Sequence, residues 1–155
     1  MKKPKYLRWI LAVEAVGALS GFLSRNGTEL YAESIIKPPL SPPGILFPIV
    51  WTILYALMGI GAARIAEAPE SRGRADALNV FVIQLIVNFF WSLIFFNAQA
   101  FGFAFAWLLF LWLLIGVMIF LFDRVDRMAA LLQIPYLLWV SFAGYLNYGV
   151  WQLNP

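Results

Sequence analysis

Five apolar segments, each near the roughly 20 residues a helix needs to cross a bilayer, constrain this chain more than any other feature. They fall at about 6–24, 44–66, 77–97, 101–122 and 129–151 of the 155 residues. Composition argues the same way. The chain is 63% hydrophobic and 12% charged, against about 45–50% and about 25% for ordinary globular domains. A soluble domain of this size has too little interior to hide that much apolar surface. The expected fold is an all-α membrane protein, a five-transmembrane-helix bundle forming one domain over residues 1–155.

The start "MKKPKYLR" followed by an apolar run resembles a cleaved signal peptide. Glu14 within the run, the run's length and the lack of a clear A-x-A site favour a retained helix instead. Only the first connection, about 25–43, is long. The short ones should make consecutive helices antiparallel neighbours.

The net charge of +3 does not imply nucleic acid, because the basic residues sit at helix ends. With five spans, Lys2, Lys3, Lys5, Arg8, Arg64, Arg72, Arg74, Arg124 and Arg127 share one side, and only Arg25 and Lys37 the other. The positive-inside rule then puts the N-terminus on the cytoplasmic side and the long loop outside. The chain has neither cysteine nor histidine. Disulfides and thiolate chemistry are excluded, and the commonest metal and haem ligand is missing. No catalytic triad, metal cluster or phosphate-binding glycine loop is present, so no resident cofactor is expected.

The long loop ends in "KPPLSPPG", Lys37 to Gly44. Proline lacks an N–H and disfavours helix in the residue before it, so this is expected to be a stiff, extended connector. It is either a rigid helix-start signal or a preorganised lid. Beneath it, residues spaced i, i+4, i+8 share a helix face. Phe47, Trp51 and Tyr55 form one such stripe, Gln84, Asn88 and Ser92 (with Trp91 beside them) a second, and Trp139, Ala143 and Asn147 a third, with Tyr136 a turn deeper. At about 1.5 Å rise per residue, Trp51, Asn88 and Ala143 lie about 10, 13 and 12 Å below the outer helix ends. The stripes therefore meet at one level. Polar side chains in hydrocarbon turn inward, either as interhelical glue or as the polar points of an aromatic-walled pocket for a flat, largely apolar molecule.

Three pieces in this order, "KPxxxPPG" leading to "FPIVWTILY", "QLIVNFFWSLIFF" and "PYLLWVSFAGYLNYGVW", resemble the TspO/MBR family (translocator protein, tryptophan-rich sensory protein) over most of the chain. The resemblance implies a five-helix membrane protein, often dimeric, that binds porphyrins beneath the first loop and in some members sterols and drug-like ligands. Some bacterial members promote light-dependent porphyrin degradation. Carried onto this chain, the pocket comprises Pro42, Trp51, Asn88, Trp139, Ala143 and Asn147 with Gln84 and Trp91, beside the stripe residues Phe47 and Tyr55. Trp51 and Trp139 match the tryptophans linked to porphyrin oxidation.

Departures are informative. Leu40 stands where many relatives have tryptophan, removing a stacking surface under the lid. Trp107 stands in the pocket where many carry aspartate. Leu146 and Tyr148 of the L-x-Y-x-x-x-R cholesterol motif are kept, but Gln152 replaces its basic residue, which disfavours a sterol partner. The function expected is an integral membrane receptor for a tetrapyrrole such as protoporphyrin. A porphyrin transporter, a light-dependent degrading activity and a ligand-free packing module are the alternatives. Lipid, tetrapyrrole and a second copy of the chain are the expected partners.

Two further features stay open. Glu14 is either a proton carrier or a hydrogen-bonding group between helices. Gly17 and Gly21 make a GxxxG step for close packing, within the bundle or between protomers. The charges at Glu67–Asp76 and Asp123–Arg127 are expected to be solvated connectors.

Overall fold

A computed structural model describes residues 3–155, with side chains from Lys5 onward. Lys2 and the side chain of Lys3, both used in the charge tally, lie outside the described residues. The helices are α1 (Lys3–Leu23), α2 (Arg25–Ser34), α3 (Leu46–Glu67), α4 (Arg72–Ser92), α5 (Phe101–Val125), α6 (Arg127–Leu131) and α7 (Ile134–Leu153). Five spans are long and apolar enough to cross a membrane: Lys5–Leu23, Leu46–Glu67, Arg72–Asn97, Phe101–Val125 and Arg127–Leu153. The chain is an all-α, multi-pass integral membrane protein. α1 packs on α3, α4 on α5 and α5 on α7. The main neighbour of α3 is thus α1 rather than the next span, whereas α4, α5 and α7 follow the antiparallel expectation.

Three local departures from the sequence reading have physical causes. First, residues 25–34 of the expected loop are helical, with only 35–45 non-helical. The stretch "TELYAES" is rich in helix formers, and the α2 face bearing Gly27 and Tyr31 is buried. Tyr31 anchors it on Phe95 and Phe96, with ring centroids 5.6 and 5.3 Å away. Ten residues with one apolar face give no membrane-span signal, which is why hydropathy passes over them. Second, α4 runs on as a π-helical turn, Leu93–Asn97, a feature frequent at functional sites. Third, the fifth span breaks between α6 and α7, because Pro135 has no N–H to offer the carbonyl four residues back.

The two ends of the bundle differ. At the arginine-rich end, Lys5 pairs with Glu67 at 3.9 Å, Arg74 donates twice to the Ala66 carbonyl at 3.1 and 2.9 Å, and Arg64 grips Asp126 with Nε and Nη2. Asp126 also caps α6 by accepting from the Ala129 amide at 3.2 Å. The hydrogen bonds from Arg64 hold its carboxyl below the usual carboxylate range. The "DRVDR" turn is therefore a fastening and not only a solvated connector.

At the other end the proline-rich segment is pinned to α7. Asn154 accepts from the Ile36 amide at 3.1 Å and donates to its carbonyl at 2.7 Å, and the Tyr145 hydroxyl donates to the Pro39 carbonyl at 2.7 Å. Pro38 lies so close to Gly149 that a Cβ there would come within 2.6 Å of the proline ring.

Candidate functional site

α3 and α7 approach each other mainly through rings. Trp51 meets Tyr136 edge-on at 6.2 Å and Phe47 meets Trp139 at 5.8 Å. Between these rings, α1, α2 and the π turn lies a cavity of about 640 Å³. Of the residues read from the sequence, Pro42, Phe47, Trp51, Tyr55, Trp91, Trp139 and Ala143 line it. Trp51 stacks on Tyr55 at 5.4 Å. The proline-rich segment forms the roof, with Lys37, Pro42 and Gly44 in the lining.

Gln84, Asn88, Asn147 and Trp107 do not line the cavity, and this corrects the expectation that amides point into it. The Tyr55 hydroxyl donates to Asn88 Oδ1 at 3.0 Å, Asn88 Nδ2 donates to the Tyr136 hydroxyl at 2.7 Å, and that hydroxyl donates to Gln84 Oε1 at 2.7 Å. Trp91 Nε1 donates to Asn147 Oδ1 at 3.0 Å, while Asn147 Nδ2 donates to the Phe101 carbonyl at 2.9 Å. Trp107 Nε1 donates to the Val87 carbonyl at 2.7 Å, tying α5 to α4. A buried polar group must find a partner, and here the tyrosine and tryptophan side chains reach the amides first. The amides act as positioning residues. They hold Tyr55 and Trp91, and through Tyr55 they steady Trp51.

The wall that sequence reasoning missed is formed by α1 and α2. Glu14, Gly17, Ala18 and Gly21, at i, i+3, i+4 and i+7, face the cavity, and so do Ser20, Ser24, Arg25, Thr28 and Tyr31. This small and polar stripe stands out within an otherwise apolar helix of leucine, valine and alanine, so its signal was present in the residues. Gly17 admits the Tyr55 ring, and nothing lies within 4 Å of a Cβ placed on Gly21. The GxxxG step thus serves packing inside the bundle and space for the cavity. Glu14 makes no hydrogen bond to a neighbouring helix among the described residues.

Two other expectations change. Leu40 is 80% exposed with a φ of 70°, so a ring at this position faces away from the cavity and its absence removes nothing beneath the roof. Leu146 is buried whereas Tyr148 is exposed, so the retained pair of the cholesterol motif does not present one shared face.

The TspO/MBR family profile matches residues 9–152. The tryptophan-rich protein TspO of Chlorobaculum tepidum is 37% identical over 91% of this chain and 90% of its own length. Protein CrtK of Rhodobacter capsulatus is 36% identical over 95% and 91%. The translocator protein of Bos taurus is 34% identical over 94% and 91%. A match over nearly the whole chain, on five spans enclosing an aromatic cavity, leads to one conclusion: the chain belongs to the TspO/MBR family.

Proposed function

We propose that this chain is a membrane receptor for a tetrapyrrole such as protoporphyrin, bound in the cavity between α1, α2, α3 and α7. The observation that carries the reading is a volume of about 640 Å³ walled by Trp51, Trp139, Phe47 and Tyr55 and roofed by a pinned proline segment. Indole and phenol rings give a flat macrocycle large stacking faces, and concave, mostly apolar sites with few polar groups are typical of small-molecule binding. With no histidine in the chain, free porphyrin binds at least as well as haem. Beyond the cavity the bundle is filled by Met58, Gln84 and Tyr136, each at most 1% exposed. That filling favours holding a ligand over passing it through. The charge asymmetry supports an N-terminus on the cytoplasmic side, with the roof outside, and we expect a homodimer.

Protoporphyrin titration followed by tryptophan quenching tests the reading. A Trp51→Ala/Trp139→Ala variant should bind at least tenfold more weakly, since stacking on an aromatic side chain is worth about 1–3 kcal/mol per ring by alanine substitution. Unchanged affinity in that variant rejects the site.

A further inference from the structure

The cavity's charges are unevenly placed. Arg25 and Lys37, the two basic side chains at the roofed end, both line it. Neither is ion-paired among the described residues, where the pairs are Lys5–Glu67, Arg64–Asp126 and Arg127–Asp123. Arg25 instead donates to the Phe22 carbonyl at 2.7 Å and covers the Phe22 ring at 4.0 Å. Lys37 reaches the carbonyls of Ala32 and Ile35 at 3.3 and 3.2 Å and the Tyr31 ring at 4.8 Å. Glu29 and Glu33 share α2 with Arg25 yet are exposed and form no pair with either cation. The acid that does line the cavity, Glu14, lies on α1 nine residues before its end at Leu23, roughly 13 Å below that end, whereas Arg25 opens α2.

A second observation is independent of charge. Among the described residues Ser24 Oγ and Trp139 Nε1 are buried without a hydrogen-bond partner, and both residues belong to the cavity wall. Buried donors left unpaired call for an explanation, and an acceptor carried by a ligand supplies one once the side chain rotates to turn its donor into the cavity.

We propose that the cavity is built for an amphipathic acid, a flat apolar body carrying one or two carboxylates, seated with its acid groups at the roofed mouth on Arg25 and Lys37. Ser24, next to Arg25, adds a hydroxyl donor there. The apolar part of the ligand lies against Trp51 and Trp139. The reverse pose brings a carboxylate towards Glu14 in a medium of low dielectric, where like charges repel strongly. Guanidinium and ammonium groups at the rim give carboxylates charge-assisted hydrogen bonds, and they set orientation more than total affinity. This proposal rests on the binding reading above and adds the ligand's charge and its direction of entry.

Protoporphyrin and its dimethyl ester share the macrocycle and differ in two carboxylates, so the pair separates this proposal from the reading it rests on. Tryptophan quenching in a nonionic detergent should show the diacid binding roughly tenfold more tightly than the ester, the combined effect of two partly exposed ion pairs. Added salt should erode that preference. Arg25→Gln/Lys37→Gln should abolish it by lowering diacid affinity to the level of the ester, with circular dichroism and melting temperature reporting an intact bundle, and Arg25→Lys/Lys37→Arg should keep it. Equal affinities in the unmodified protein, or a preference indifferent to salt, overturns the acid-binding mouth and leaves the cavity standing. Failure of both porphyrins to bind the unmodified protein overturns both.

Discussion

Replacing Asn88 by leucine isolates the buried relay behind the aromatic wall. Asn88 is 4% exposed and holds two hydroxyls, accepting from Tyr55 at 3.0 Å and donating to Tyr136 at 2.7 Å. In Asn88→Leu the Tyr136 hydroxyl keeps its bond to Gln84, but the Tyr55 hydroxyl loses its acceptor. Hydrogen bonds between membrane helices contribute about 0.6 kcal/mol each on average, and a buried donor left unpaired costs about 1–3 kcal/mol. The substitution should therefore destabilise by about 2 kcal/mol. Tyr55→Phe removes the orphaned hydroxyl, so adding Asn88→Leu to it should cost less. Across the double-mutant cycle the coupling should be about 0.6 kcal/mol and no more than about 1.7 kcal/mol, the mean and the maximum measured for such pairs in membranes. Unfolding of the four proteins in mixed micelles, followed by tryptophan emission, measures it. Additivity to within about 0.3 kcal/mol, as found for independent sites, refutes the relay.

The remaining predictions concern the two ends of the bundle. Asp126 is held below the ordinary carboxylate range by Arg64, so its contribution is complete above the unfolded value of about 3.9 and fades as pH falls through the lower folded one. Asp126→Asn should lower the melting temperature at pH 7 and flatten the acid limb of the stability profile, and an unaltered acid limb contradicts the fastening. Leu40→Asn should stabilise by about 1 kcal/mol, because Leu40 holds a left-handed φ of 70° that costs a branched residue about 1–2 kcal/mol and suits asparagine better. Chemical denaturation reads this directly. Gly149→Val should push Pro38 off α7 and make the roof segment sensitive to chymotrypsin at Leu40, with the five spans intact by circular dichroism.

The five spans were legible because length and apolarity alone select a membrane helix. The aromatic stripes were legible because a period of 3.6 fixes which residues share a face. Periodicity does not say how far a side chain reaches. Asn88 shares its helix face with cavity residues, yet the Tyr55 hydroxyl occupies it, and Gln84 lies a turn deeper beneath Tyr136. α2 escaped notice because its helix depends on Tyr31 packing against Phe95 and Phe96, a contact more than sixty residues away in sequence. The role of Asp126 depends in the same way on Arg64, 62 residues distant. On α1 the spacing of Glu14, Gly17, Ala18 and Gly21 puts them on one face, but small side chains carry no apolar signal that marks a face as a wall.

The central claim is that the space beside Ala143, between Trp51 and Trp139, is where a flat ligand sits. Ala143 is 6% exposed and lines the cavity, so Ala143→Trp fills the space from the wall without removing any hydrogen bond described here. The decisive measurement is the affinity of protoporphyrin for this variant beside the unmodified protein. Loss of binding of a hundredfold or more with a melting temperature held or raised is the predicted result, and undiminished binding by a folded Ala143→Trp protein contradicts the account.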